Sequence, residues 1–174
     1  MISKKLQDAI NEQINREFYS EFMYSAMRAW FARQTLNGFA TWMDVQTREE
    51  HAHAMGLYLY LLNRGGEVEL KEIAKPPKDF KDPMDVFQQT YEHEKFVTKS
   101  INELMDLAIK ENDHALISFL KWYVDEQVEE ENNDETIIGK LKIIEGRPEG
   151  LLLLDQELGT RVYTPPVISG IIVY

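Results

Sequence analysis

The 174 residues contain no cysteine. Disulfides, thiolate metal sites and iron–sulfur clusters are therefore excluded, and any metal must be held by oxygen and imidazole. Proline and glycine are scarce, at 6 and 9 residues, which leaves long stretches with nothing to interrupt a helix. No apolar run approaches the roughly 20 residues of a membrane span. No secretory leader precedes Ser3-Lys4-Lys5, so a cytoplasmic location is expected. Basic residues are outnumbered, 19 against 30 acidic, and the net charge is −11. That balance argues against nucleic acid and anionic membranes as partners and favours the attraction of cations. Strand periodicity is missing over any useful length. What remains is a 44% hydrophobic chain, long enough to bury one core.

The few breakers divide the chain into helices. The first is predicted from about Ser3 to Arg33, and the second, after the joint at Gly38, runs to about Arg64. Gly65-Gly66 stops it in the position that favours a left-handed cap. Asp82-Pro83 restarts the helix as N-cap and first turn. The third helix ends near Asn112-Asp113 and the fourth near Glu145, and a short fifth spans Glu149 to Leu158. Two joints are only a few residues long, which makes each flanking pair an antiparallel hairpin. The middle link, Gly65 to Asp82, can extend to about 60 Å, more than the roughly 42 Å length of a 28-residue helix. The fold class expected is all-α, a four-helix bundle with one long crossover and a short fifth C-terminal helix.

The apolar faces carry an anomaly. At spacings of three and four they read Ile10, Ile14, Glu17, Tyr24, Phe31, then Phe39, Trp42, Gln46, Glu50, His53, Leu57, Tyr60. The third reads Phe87, Thr90, Glu94, Val97, Ile101, Leu104, Ala108. The fourth reads Leu116, Leu120, Tyr123, Gln127, Glu130, Asp134, Ile137, Leu141, Ile144. A carboxylate in a packed core is costly unless it is paired or bound to metal. Because the interruptions fall near mid-helix, Glu17, Glu50, Glu94 and Glu130 are expected at one height with His53 and Gln127. Glu50 and His53 share a helical face as Glu-x-x-His. Four carboxylates neutralise two divalent ions, and Glu50 is placed to bridge them. This ligand mixture suits iron and manganese and tolerates zinc. Two metals about 3.5–4 Å apart act together on one small molecule, which for iron is dioxygen or peroxide. Tyr24, two turns from Glu17, is placed to hydrogen-bond a ligand carboxylate.

A second acidic cluster, Glu49 with Glu126 and Glu129, lies about one helical step off the stripe, where a further, looser metal would sit. His51, His93 and His114 are read as surface residues, and Trp42, Trp122 and Tyr123 as core packing.

These residues, in this order, resemble the non-haem bacterial and archaeal ferritins. The resemblance rests on Asn15-Arg16-Glu17 with Tyr19 and Tyr24, on Glu49-Glu50-x-x-His53 and on Pro76-Pro77 in the crossover. It extends through Tyr91-Glu92-His93-Glu94 and Phe119-Leu120-Lys121-Trp122 to the run from Glu126 to Glu131. It implies a ferritin-like di-iron domain over 1–159, leaving 160–174 as a tail without assigned role. It further implies an iron store that oxidises Fe2+ to Fe3+ with dioxygen or peroxide and self-assembles into a shell of about twenty-four subunits. By the family pattern Glu17, Glu50 and His53 bind one iron and Glu50, Glu94 and Glu130 the second. Glu49, Glu126, Glu129 and Glu130 bind a third, with Gln127 and Tyr24 completing the catalytic set. Haem is not expected, because His51 stands where bacterioferritins carry a haem-binding Met. The fourth helix has Gln127-x-x-Glu130 where related di-iron proteins have a second Glu-x-x-His. A small di-metal oxidase is the competing reading. The tail, ending Ile171-Ile172-Val173-Tyr174, is more apolar than a ferritin terminus should be.

Overall fold

Each of the four long helices begins where a side chain satisfies an amide that the first turn leaves open. In the computed structural model, which describes residues 2–172, Ser3 caps α1 (Lys4–Arg33) by accepting the Leu6 amide at 3.3 Å. Asp82 caps α3 (Pro83–Lys110) by accepting the Asp85 amide at 2.8 Å, with Pro83 in the first turn. Asp113 caps α4 (His114–Ile144) through the Leu116 amide at 3.0 Å. The second helix, α2 (Asn37–Asn63), has no cap from its own sequence. Its cap comes from α5 (Pro148–Leu158), where Asp155 accepts the Phe39 amide at 3.0 Å. Gly65 takes φ 70° after α2, the left-handed conformation expected of it.

The crossover lies along α1. Gln7 accepts the Glu67 amide, Asn11 holds Glu67 and Glu69, Asn15 holds Glu72, and Arg33 donates to the Lys78 carbonyl. These anchors are spread from one end of α1 to the other, so the link runs the length of the bundle and α2 and α3 are parallel. Arg64 then ties the end of α2 to the start of α4 with two hydrogen bonds to Asp113, at 3.0 and 2.8 Å. None of the described helices is long and apolar enough to cross a membrane.

Every stripe residue named above is buried except Ile144. Two apolar clusters result, one around Ile10, Leu57, Ile101 and Leu120, the other around Phe31, Phe39, Phe87 and Leu141. Between them the core is polar.

The segment after Gly159 differs from the sequence reading, which predicts no strands. Val167–Ile168 (β1) pairs antiparallel with Ile171–Ile172 (β2) across a turn in which Ser169 and Gly170 both have positive φ. Strands of two residues are too short for an alternating pattern to register. Ile168 is fully buried and meets Gly56 and Tyr123, so the apolar tail packs on the bundle. Val173 and Tyr174 lie outside the described residues.

Gly38 lets α5 dock, because a Cβ there would stand 1.6 Å from the Asp155 carbonyl oxygen. Gly38→Ala is therefore expected to cost about 1–3 kcal/mol through forced displacement of α5. At Gly139, where nothing lies within 4 Å, the same change is expected to stabilise by about 0.5–1 kcal/mol. Thermal unfolding of the two variants checks the contrast, and an unperturbed Gly38→Ala protein would contradict the docking.

Candidate metal centre

The polar layer draws on all four long helices. Glu17 comes from α1, Gln46, Glu50 and His53 from α2, Glu94 from α3, and Gln127, Glu130 and Asp134 from α4. None is more than 5% exposed. Among the described residues no lysine or arginine is buried with them. The carboxylates are held instead by neutral donors. Gln13 donates to Glu17 at 2.7 Å and is itself fixed by the Ser100 hydroxyl at 2.8 Å. Gln46 donates to Glu130 at 2.9 Å, and Gln127 to Glu94 at 3.0 Å. The Tyr24 hydroxyl also donates to Glu94, which gives it the carboxylate contact expected from its place on the stripe.

His53 lies at the junction. Its Nδ1 is 3.6 Å from Glu50, and its buried Nε2 has no hydrogen-bond partner. That nitrogen faces the Glu126 carboxylate across 4.0 Å, too far for a hydrogen bond. An ion about 2.1 Å from each atom would fill such a gap. Ligand atoms of Glu17, Glu50 and His53 lie within 4.8 Å of one another, and so do those of His53, Glu126 and Glu130. The donor set therefore fits divalent cations. Glu94 stands aside with Tyr24 and Gln127. Glu49 is engaged by Arg161 at 2.6 Å, and Glu129 is exposed, apart from both groups.

Crowding of like charges away from water favours protonated carboxyls. Burial pushes Glu17 up, and it pushes Glu50 well above the usual range, with the Glu94 and Glu17 charges adding to the effect. Glu94 is pushed up to about 8 by burial and then by Glu130, against the hydrogen bonds from Tyr24 and Gln127. Glu49 is pushed up to about 7 by burial, with Arg161 opposing.

Some residues were not legible as participants. Asp134, a member of the fourth stripe, is 1% exposed, and its Oδ2 has no partner. Burial, then Glu94 and Glu130, push it up to about 9. Its position four residues beyond Glu130 on one helical face was the available signal. His93 is a correction to the surface reading. It lies half-buried between Tyr19, Tyr24 and Phe96 and is hydrogen-bonded to Ser20 at 2.8 Å. Burial lowers it to about 4. The small Ser20, fully buried on α1, leaves room for the ring. His51, paired with Glu21, and His114 are surface residues as read, while Trp122 is only partly buried.

The raised carboxyls fix the sign of a pH dependence. Between their ordinary values, 4.5 for Glu94 and 3.8 for Asp134, and the folded values of about 8 and about 9, the folded state binds more protons than the unfolded. Their contribution is thus fully present at acid pH and is lost as pH rises through the folded values. The unfolding temperature of metal-free protein is expected to fall by about 5 °C or more from about pH 5 to about pH 9. Bound divalent ions should reverse the trend, since cation binding displaces the same protons. A metal-free melting temperature that rises across this interval would contradict the assignment.

Comparison with known proteins supplies the context for this arrangement. Residues 7–144 match the ferritin-like domain family. A bacterial non-heme ferritin of Campylobacter jejuni is 41% identical over 156 residues, covering 90% of this chain and 93% of the relative. One from Bacteroides fragilis is 40% identical over 161 residues, covering 92% and 100%. Among solved structures, an Archaeoglobus fulgidus ferritin engineered into a closed form superposes with a TM-score of 0.93 at 44% identity, covering 94% of this chain and all of the other. An open-pore ferritin from the same archaeon gives 0.92, also at 44% identity, over 93% of this chain and all of that one. With the family match spanning most of the bundle and these relatives covering nearly the full length, the chain belongs to the ferritin family.

Proposed function

We propose that the chain stores iron, oxidising ferrous ions at the polar layer with dioxygen or peroxide and retaining the ferric product inside a closed shell of about twenty-four copies. The observation that carries this reading is His53, a buried imidazole shared by two ligand groups and left with an unpartnered nitrogen. Support also comes from the relatives named as non-heme ferritins.

In this reading iron is the substrate. Glu17, Glu50 and His53, already grouped, receive one ferrous ion, and Glu50, Glu94 and Glu130 receive the second once Glu94 turns in from its Tyr24 and Gln127 contacts. Two adjacent ions supply together the two electrons that reduce dioxygen to peroxide. The residues around them orient and protect. Gln46 and Gln127 aim the Glu130 and Glu94 carboxylates, Tyr24 holds the far side of Glu94, and Gln13 holds Glu17. The apolar clusters above and below keep bulk water from the reacting ions. Glu49, Glu126, Glu129 and Glu130 receive a third ion, with the exposed Glu129 outermost.

Assembly is supported by apolar surface that a lone bundle does not need. Ile143 is 74% exposed, and Leu152 and Leu153 on α5 are 59% and 68% exposed. Phe22 and Leu70 on the α1 and crossover side are 48% and 67% exposed. Surface of this kind is normally covered by neighbouring subunits.

Glu50→Ala is expected to slow the fast aerobic oxidation of ferrous iron by at least about 100-fold, since even residues that only orient metal ligands are worth 10–100-fold. Stopped-flow absorbance reads this directly, and an unchanged fast phase would remove the oxidation chemistry from this layer. Light scattering at micromolar concentration should give the mass of a closed shell. A monomer or dimer would instead promote a small di-metal oxidase.

A further inference from the structure

The segment from α5 through the tail takes no part in the chemistry above, yet it is anchored at several points along α2 and α4. Asp155 caps α2 at one end. At the other, Ile168 is buried against Gly56 and Tyr123, and the Ser169 hydroxyl donates to the Phe119 carbonyl at 3.1 Å. Between these anchors Tyr163 lies beneath Arg48, 4.0 Å from its guanidinium. Arg161 faces the metal centre. Its Nη1 donates to the Gln46 Oε1 at 2.6 Å and its Nη2 to the Glu49 Oε2 at 2.6 Å, while the guanidinium lies 4.6 Å over the Trp42 ring.

Both hydrogen bonds of Arg161 touch a group with a role at the metal centre. Glu49 is a ligand for the third ion in the function proposed above. Gln46 uses its other end to hold Glu130, a ligand of the second and third ions in that proposal. The pair is sheltered, with Arg161 and Glu49 side chains 23% and 19% exposed. The positive charge of Arg161 also opposes protonation of Glu49, Glu126 and Asp134. Arginine suits the place because its planar fork reaches two acceptors at once while stacking on an indole, which a lysine ammonium cannot do.

We propose that Arg161 is the resident counter-cation of the third position, holding Glu49 until a divalent ion displaces it. The tail thereby sets the affinity of the third ion without touching the first, held by Glu17, Glu50 and His53. A guanidinium and a divalent cation on one carboxylate repel each other at short range. Binding of the third ion therefore requires Arg161 to withdraw, and its cost is the broken pair. No hydrogen bond from Arg161 or Gln46 reaches Glu17, Glu50 or His53, so the first ion carries no such penalty, and the second feels Arg161 only through Gln46 and Glu130. The inference rests on the proposed function for the existence of a third ion, and adds what governs it.

Calorimetric titration of the assembled, metal-free protein with zinc(II), which cannot be oxidised, tests this. The parent should take two ions tightly and a third more weakly. In Arg161→Gln the third should tighten on the order of tenfold, within the range of coupling between contacting charges, with the first, at Glu17, Glu50 and His53, unchanged. Arg161→Lys, which keeps the charge and loses the fork, should fall between them. In a Glu49→Gln background, Arg161→Gln should tighten the third ion by much less than it does in the parent. A tail that served structure alone would not tighten one ion class selectively. An unchanged or weakened third ion in Arg161→Gln overturns the proposal, and should that variant not fold, an unchanged third ion in Arg161→Lys does the same. A parent that binds no ions tightly refutes the metal centre itself, whatever the Arg161 variants do.

Discussion

A layer of carboxyls held away from water without matching positive charge is the constraint on which the rest of this structure depends. Transfer of a single ionised carboxylate into such surroundings is strongly unfavourable, and here Glu17, Glu50, Glu94 and Glu130 are buried together, with Asp134 four residues beyond Glu130 on α4. Neutral amides and a phenol satisfy part of the hydrogen-bonding capacity, and burial beside like charges raises the proton affinity of Glu50 and Glu94. Neither removes the mutual repulsion of the charged forms. Divalent cations do, and the unpartnered His53 nitrogen is most simply explained by them.

The fold serves that layer. Anchors from Gln7 to Arg33 hold the crossover along α1 and make α2 and α3 parallel, which brings the midpoints of four helices to one height. Apolar clusters at both ends provide the stability that a polar middle section lacks. The fifth helix returns to cap α2 through Asp155, and the tail beyond it brings Arg161 to the rim. The cation that reaches Gln46 and Glu49 thus comes from the segment beyond α5, where it can be displaced without disturbing a long helix.

Much of this was legible in the sequence because helices impose a period. Glu17, Glu50, Glu94 and Glu130 could be placed in one layer from spacing and connection length alone, and breakers such as Gly65 and Asp82-Pro83 marked the ends. What escaped had no period to reveal it. Arg161 meets Gln46 and Glu49 across 115 and 112 residues of chain. His93 is sheltered because Ser20, on another helix, is small. The tail strands are two residues long, and the burial of Ile168 depends on a glycine at position 56. Asp134 was visible on its stripe, but its orphaned oxygen is a property of packing that spacing does not encode.

The central claim is that the layer is maintained for cations and weakens the protein without them. The direct measurement is thermal unfolding of the parent and of a double variant, Glu50→Leu with His53→Met, each with and without ferrous iron in the absence of oxygen. Removing two members of a strained polar layer should leave the metal-free protein as stable as before or more so, while abolishing the stabilisation that iron gives the parent. A loss of several kcal/mol in the metal-free double variant, together with a parent that does not respond to iron, would mean that the layer is a structural hydrogen-bond network, and would contradict the claim.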